Sequence, residues 1–204
     1  MPKNARNQRN RAKDRNNSSA PNRATNAGMT QPRFKPVVKF SRTVTTGFDV
    51  VCDGINPSLN GFQFTLSQLP GYTDFTKLFQ TYKIDKIKVD WRPEYTELTD
   101  AALVSNAINV NFNSCIDQTN GNAPTAVTDV LEYQSCISTG ITKPHSRTFI
   151  PAVFSDSAMP CHCYVSSLNP TESHYGMKVG VPPTGVAMTF YGTVTFYFTC
   201  AGVS

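Results

Sequence analysis

The stretch "GVAMTFYGTVTFYFTC", residues 185–200, alternates large apolar and polar side chains for longer than a typical strand lasts. Val186, Met188, Phe190, Val194, Phe196 and Phe198 fall on one side, and Thr189, Tyr191, Thr193, Thr195, Tyr197 and Thr199 on the other. A helix would scatter these residues around its circumference. A strand with one face on a core and a Thr/Tyr face toward something partly polar satisfies the pattern. So long a strand needs partners of similar make, which commits the chain to a β-rich fold.

Those partners can be read upstream. In "ALVSNAINVNFNSCI", Val104, Ile108, Val110, Phe112 and Ile116 share one side, with Ser105, Asn109, Asn111 and Asn113 opposite. A further strand is expected in "HSRTFIPAVF". In "TYKIDKIKVDWRPEY", Ile87, Val89 and Trp91 point inward between Lys86, Lys88, Asp90 and Arg92, whereas Tyr82 and Ile84 sit on even numbers. The register must slip near Asp85, which predicts a β-bulge there or a strand that starts only after it. Just before it, "TDFTKLFQTY" is the best helix candidate, with Thr73 or Asp74 as its cap and Phe75, Leu78 and Phe79 as its apolar stripe. A second short helix is expected in "APTAVTDVLEY". Gly/Pro clusters such as "NPSLNG", "QTNGNAP" and "VPPTG" separate the strands. Many strands, long polar connections and one or two short helices predict an all-β, antiparallel two-sheet jelly-roll sandwich of about eight strands.

Charge divides the chain sharply. Residues 1–43 carry eleven Lys or Arg against Asp14 alone, a net of +10, while the whole chain of 204 residues nets +5, leaving −5 for the rest. Residues 1–33 are rich in Asn, Arg, Ala, Ser and Pro and hold almost no large apolar side chain, so they cannot offset the entropy of ordering. The expected organisation is a disordered basic N-terminal arm at 1–33 followed by one sandwich domain at 34–204. A flexible cationic segment displaces counterions from a phosphate backbone and binds it without reading sequence. The candidate nucleic-acid-binding residues are therefore Lys3, Arg6, Arg9, Arg11, Lys13, Arg15, Arg23, Arg33 and Lys35. "KNARNQRNRAKDR" lacks a run of consecutive Lys or Arg, so as a nuclear address it is weak.

Other chemistry finds less support. No G-x-S-x-G, H-E-x-x-H, P-loop or Rossmann pattern accompanies His145, His162 and His174, and no catalytic residue is assigned. Cys161-His162-Cys163 lacks a second pair, and on a strand His162 would face away from both cysteines, so no metal site is expected. Asp117, Asp129 and Glu132 could meet calcium between subunits, but no EF-hand spacing supports it. The six cysteines are spread through a chain without a secretion signal, which favours reduced and mostly buried thiols. No apolar run is long enough for a membrane span or a signal-peptide core, so the chain reads as soluble, intracellular and without membrane partners.

The order "FTLSQLPGYTDFTKLFQTYKIDKIKVDWRPEY" resembles the region leading through an early strand of the capsid proteins of small icosahedral viruses, most nearly those of circovirus-like circular single-stranded DNA viruses. "CIDQTNGNAPTAVTDVLEYQS" is similar to their acidic loop, and "HSRTFIP" and "HYGMKVGV" look like their later strands. The resemblance covers most of residues 34–204. It implies a single jelly roll, a shell domain whose copies, sixty in the smallest case, tile a closed particle, with the basic arm inside against the genome. Capsids of small RNA viruses share this pairing of arm and sandwich, so genome type stays open, with single-stranded DNA favoured. Localisation would be the virion, with passage through the host nucleus during assembly. Loops at 95–102, 117–128 and 155–173 are long enough to make subunit contacts, with Phe154, Tyr164 and Tyr175 as candidate anchors. The competing reading is a non-viral nucleic-acid- or histone-binding β-sandwich that carries a basic tail and forms no shell. Neither reading calls for a cofactor or an enzymatic activity.

Overall fold

A computed structural model describes residues 36–95, 110–154 and 160–203. Among these, eight strands have four or more residues: β1 (Val37–Val44), β3 (Ser58–Phe64), β4 (Phe79–Pro93), β5 (Asn111–Cys115), β6 (Ile137–Gly140), β7 (His145–Phe149), β11 (His174–Val181) and β12 (Met188–Val203). The shorter β2 (Val50–Cys52), β8 (Ala152–Phe154), β9 (Pro160–Cys161) and β10 (Val165–Ser166) extend the sheet edges. Helices α1 (Tyr72–Leu78) and α2 (Val127–Leu131) and a 3-10 turn at Leu66–Gln68 complete the described elements.

Numbered among the long strands alone, the first pairs with the eighth (β1 with β12), the second with the seventh (β3 with β11), the third with the sixth (β4 with β7) and the fourth with the fifth (β5 with β6), all antiparallel. This nested pairing is a long hairpin rolled over on itself, a jelly roll. One sheet runs β1-β12-β4-β7 and the other β3-β11-β5-β6, each with its short strands at the margins.

The alternation in residues 188–198 is realised as read: Met188, Phe190, Val194, Phe196 and Phe198 are buried. β4 pairs with β12 along nearly its whole length, and the register shifts where Tyr197 faces Lys86 but Phe198 faces Ile84. Asp85 is thus the extra residue of a bulge, and Tyr82 and Ile84 reach the same core as Ile87, Val89 and Trp91. The bulge is held from both sides, because Asp85 accepts from the Thr199 hydroxyl and pairs with Lys83 at 2.9 Å.

Trp91, fully buried, sits where the sheets meet. Its ring centroid lies 5.7 Å from Phe62 and 5.1 Å from Phe112, and its indole N–H donates to the Phe48 carbonyl at 2.8 Å.

Several local expectations need correction. "HSRTFIPAVF" is not one strand: β7 pairs with β4 in one sheet and β8 with β11 in the other. The chain crosses between sheets at Ile150-Pro151, where proline has no N–H to offer a ladder. The cap of α1 is neither Thr73 nor Asp74 but Gly71, in the left-handed region at φ 72°. That turn brings the chain out of Pro70 at an angle an L side chain would resist. Because β4 begins at Phe79, the helix ends before its stripe is complete and leaves Leu78 exposed.

The polar side of β5 is exposed at Asn111 but covered at Asn113. Residues 117–135 fold back over it, with Val130 of α2 fully buried and the segment's backbone at Gly121 and Asn122 pressed so close to Gly61 of β3 that a Cβ there would overlap it. Asn113 is consequently buried and spends its side chain on the Gly180 carbonyl and the Ser138 hydroxyl. Asp129 starts α2 by accepting from Thr125 and from the Ala126 N–H. The anchor of the segment is Asp117, which pairs with Lys178 of β11 at 2.7 Å and accepts from the Tyr133 hydroxyl at 2.7 Å and from Thr119. Burial opposes the Asp117 charge, but Lys178, Thr119 and Tyr133 outweigh it and hold the pKa at about 2.

Two consequences are measurable by urea or thermal unfolding. Trp91→Ala removes the ring that both sheets share and should cost about 3–5 kcal/mol. Asp117 binds its proton more weakly folded than unfolded, so its share of stability is full above the ordinary carboxylate pKa near 3.8 and is lost as pH falls through about 2. That share is about 2 kcal/mol; Asp117→Asn should flatten this part of the pH profile while destabilising the protein at neutral pH by leaving Lys178 buried without its partner.

Candidate nucleic-acid and assembly surfaces

The candidate arm residues Lys3, Arg6, Arg9, Arg11, Lys13, Arg15, Arg23, Arg33 and Lys35 lie outside the described residues. The described chain enters β1 directly from that segment at Pro36, and Lys39 of β1 is exposed. Of the three candidate contact loops, 95–102 lies outside the described residues apart from Tyr95, and 155–173 is described only from Pro160 onward. The third, 117–128, is the segment folded over β5. In the 160–173 loop, Ser167 is tied to the Gln80 carbonyl while Leu168 is 88% exposed. Tyr164 is exposed with the Lys83 ammonium 5.5 Å from its ring centre, Tyr175 is half-buried, and the side chain of Phe154 lies outside the described residues.

Between residues 120–134 and Lys178 lies a cavity of about 660 Å³ lined by Asn120, Asn122, Pro124, Asp129, Glu132 and Tyr133. Lys178 in its lining is paired with Asp117, so Asp117 is already neutralised, and Asp129 is occupied in starting α2. Two of the three carboxylates that could have met calcium, Asp117 and Asp129, are thus in structural use, and no cluster of three ligand side chains occurs among the described residues.

His145 accepts or donates between the Ser114 hydroxyl at 2.6 Å and the Thr139 hydroxyl at 2.7 Å. The pair looks like a nucleophile and base, but it is enclosed in the core, its third member is a hydroxyl, and burial followed by the nearby Arg147 charge pushes the His145 pKa down to about 4. Arg147 is occupied by the Ser114 and Ser135 carbonyls. This is a buried polar clasp between the sheets. His174 is buried too, its pKa lowered by burial. His162 turns to the Pro151 carbonyl at 2.8 Å, away from Cys161 and Cys163.

The cysteines follow expectation only in part. Cys52, Cys115 and Cys200 are free and buried, with burial raising each thiol pKa to about 11, and Cys136 is free and half-buried. Cys161 and Cys163, expected as thiols, are joined in a disulfide with their Cα atoms 5.5 Å apart. Only Cys161 lies in a strand, β9, and the chain leaves it before Cys163, so the two do not share the strand face expected of them.

Sequence reasoning passed over one surface. Residues opposite each other in a ladder point to the same side, so the outer face of β1-β12-β4 gathers Lys39 opposite Thr199, Lys83 opposite Thr199, Lys86 opposite Tyr197, Lys88 opposite Thr195 and Arg92 opposite Tyr191. Lys86 places its ammonium 4.2 Å from the Tyr197 ring centre. The signal was present in the polar positions of "KIKVDWR" and "TFYGTVTFY", which show their common face only once the register is known.

The family model for the circovirus capsid protein matches residues 4–204. No curated protein matches the sequence. Among solved structures, the chain is similar to the T=3 particle of Penaeus vannamei nodavirus at 13% identity and TM-score 0.53, over 97% of this chain and 63% of that one. It is similar to Cucumber Necrosis Virus at 12% identity and TM-score 0.54, over 82% and 57%. The decameric BFDV capsid protein aligns at 15% identity and TM-score 0.49, over 82% of this chain and 95% of that one. The first two share the jelly-roll fold seen here. With the family match spanning nearly the whole sequence, the chain belongs to the circovirus capsid protein family and is a structural protein of the virion.

Proposed function

We propose that the chain assembles with copies of itself into a closed icosahedral shell and packages single-stranded DNA through its basic N-terminal segment. The observation that carries this reading is the division of charge, +10 in residues 1–43 against −5 in the remainder, within a member of a capsid family. The net negative charge of the body gives no long-range attraction for nucleic acid; a covalently attached cationic segment does. In the smallest closed shell of sixty copies, residues 1–35, with nine Lys or Arg against one Asp, would bring on the order of five hundred positive charges to one negative charge per nucleotide. A genome of about a kilobase or more is then neutralised only in part, and other cations supply the rest. Asn and Gln between the charges dilute them, so packaging should be more salt-sensitive than with an unbroken Arg run, and indifferent to sequence. The same segment serves in this reading as the address to the host nucleus.

Electron microscopy of the purified full-length protein should show closed particles; a monomer or small ring under all salt and pH conditions rejects assembly. Deleting residues 1–33 should leave the melting temperature of the body unchanged and sharply reduce co-purifying nucleic acid. Unchanged nucleic-acid content in that variant rejects the role given to Lys3 through Arg33. Nuclease digestion of the extracted polymer decides between DNA and RNA. A fluorescent reporter fused to residues 1–33 should accumulate in the nucleus, and even distribution rejects the address.

A further inference from the structure

The two sheets differ in what covers their outer faces. Residues 117–135 lie across β5 and β11, whereas no described segment lies across the face of β1-β12-β4-β7, where Lys39, Ser41, Thr43, Lys86, Arg92, Ser146 and Thr148 are exposed and Tyr191 is 52% exposed. We infer that this open face is a second nucleic-acid surface, on which an unpaired strand is held at its phosphates by Lys39, Lys86 and Arg92 and at its bases by Tyr191 and Tyr197. The inference rests on the packaging function proposed above but does not require the N-terminal segment to carry it.

Charge complementarity identifies the occupant. The strands of the face present five cations, Lys39, Lys83, Lys86, Lys88 and Arg92, and two carboxylates, both already engaged: Asp85 with Lys83 at 2.9 Å and Asp90 with Lys88 at 2.8 Å. At its Tyr191 end Asp49 and Glu94 accept from the Gly192 and Thr189 N–H groups. Among the described residues, Lys39, Lys86 and Arg92 have no carboxylate within ion-pair distance. A second copy of the same face would meet like charge, while a polyanion meets three unbalanced cations. Most of the remaining positions, Ser41, Thr43, Thr193, Thr195, Ser146 and Thr148, are hydroxyls suited to phosphate oxygens, and the aliphatic Val37 and Val51 stand at the ends of the face.

The aromatic residues narrow the occupant to an unpaired strand. Tyr191 and Tyr197 stand on the same side of one strand, six residues and about 20 Å apart. Bases stack on such rings only when they are not already stacked in a duplex, and the stacking does not depend on base identity. Lys86, set over the Tyr197 ring, places a phosphate-binding ammonium beside the stacking position. The Thr and Tyr repeat of β12 thus gains a use that core packing does not provide.

The test is photo-cross-linking of the full-length protein to oligo(dT) and, separately, oligo(U), each carrying iodinated uracil, followed by peptide mapping. At salt of about 0.5 M the purely ionic contacts of the N-terminal segment are weakened by orders of magnitude, while stacking persists. Adducts at Tyr197 and Tyr191 with either polymer support the surface and tell which polymer it takes. Adducts confined to residues 1–35 overturn it. Tyr197→Leu should weaken oligonucleotide binding by about fivefold to a hundredfold and Tyr197→Phe should leave it unchanged. Equal affinity for Tyr197→Leu and wild type overturns the inference. The triple variant Lys39→Ala, Lys86→Ala, Arg92→Ala should make the salt slope shallower by about 2. If Tyr191 and Tyr197 lose hydroxyl-radical labelling in particles assembled without nucleic acid, the face belongs to contacts between copies and the inference falls. A full-length protein that retains neither polymer at any salt overturns the packaging function as well, whereas adducts in the N-terminal segment alone overturn only the second surface.

Discussion

The ladder between β4 and β12 is the constraint from which the remaining architecture follows. These are the longest described strands, of 15 and 16 residues, paired from Pro93 with Phe190 to Phe79 with Val203. Each has one further edge, and those edges are taken by β1 and β2 on β12 and by β7 and β10 on β4. Their common inner face supplies Trp91, Phe190, Phe196 and Phe198, against which Phe62, Phe64 and Phe112 of the second sheet must pack. A slip of one residue would turn all of these rings to solvent. The bulge at Asp85 prevents that slip by absorbing the one residue that would otherwise put Tyr82 and Ile84 on the wrong side.

The fold was legible where a side chain's position depends on period alone. The faces of β12 and of Ile87, Val89 and Trp91, the slip at Asp85 and the short helix near Val127 follow from alternation and turn chemistry within a few residues. What escaped depended on distant parts of the chain. Nothing near Asn113 announces that residues 117–135 will cover it, and nothing near Phe149 announces a change of sheet except Pro151. Leu78 read as part of an apolar stripe because the hydrophobic pattern continues into β4, where its period changes from helix to strand. The pairing of Cys161 with Cys163 ran against the reduced state that was expected, and β9 ends before Cys163.

For function, legibility ran the other way. The charge of the N-terminal segment was plain in the sequence, and the described residues begin just after it. The open basic face is invisible in the sequence, since Lys39, Tyr197 and Lys86 are brought together from positions far apart in the chain. The body's net negative charge conceals it further: acidic and basic residues are segregated by surface, with Asp117, Asp129 and Glu132 gathered over one sheet and the unpaired cations over the other. A shell-forming protein needs such polarity, because its two surfaces meet different environments.

The nested pairing also sets a timetable. β1 is the first long strand to leave the ribosome, yet its partner β12 is the last, and no hydrogen-bonded neighbour for β1 other than β12 occurs among the described residues. Contacts this remote in sequence form slowly, and a growing chain cannot make them at all. Synthesis therefore releases an incomplete sandwich whose sheet closes only after β12 emerges. A chain cut short before β12 lacks the strand that joins β1 to β4, so that sheet cannot close.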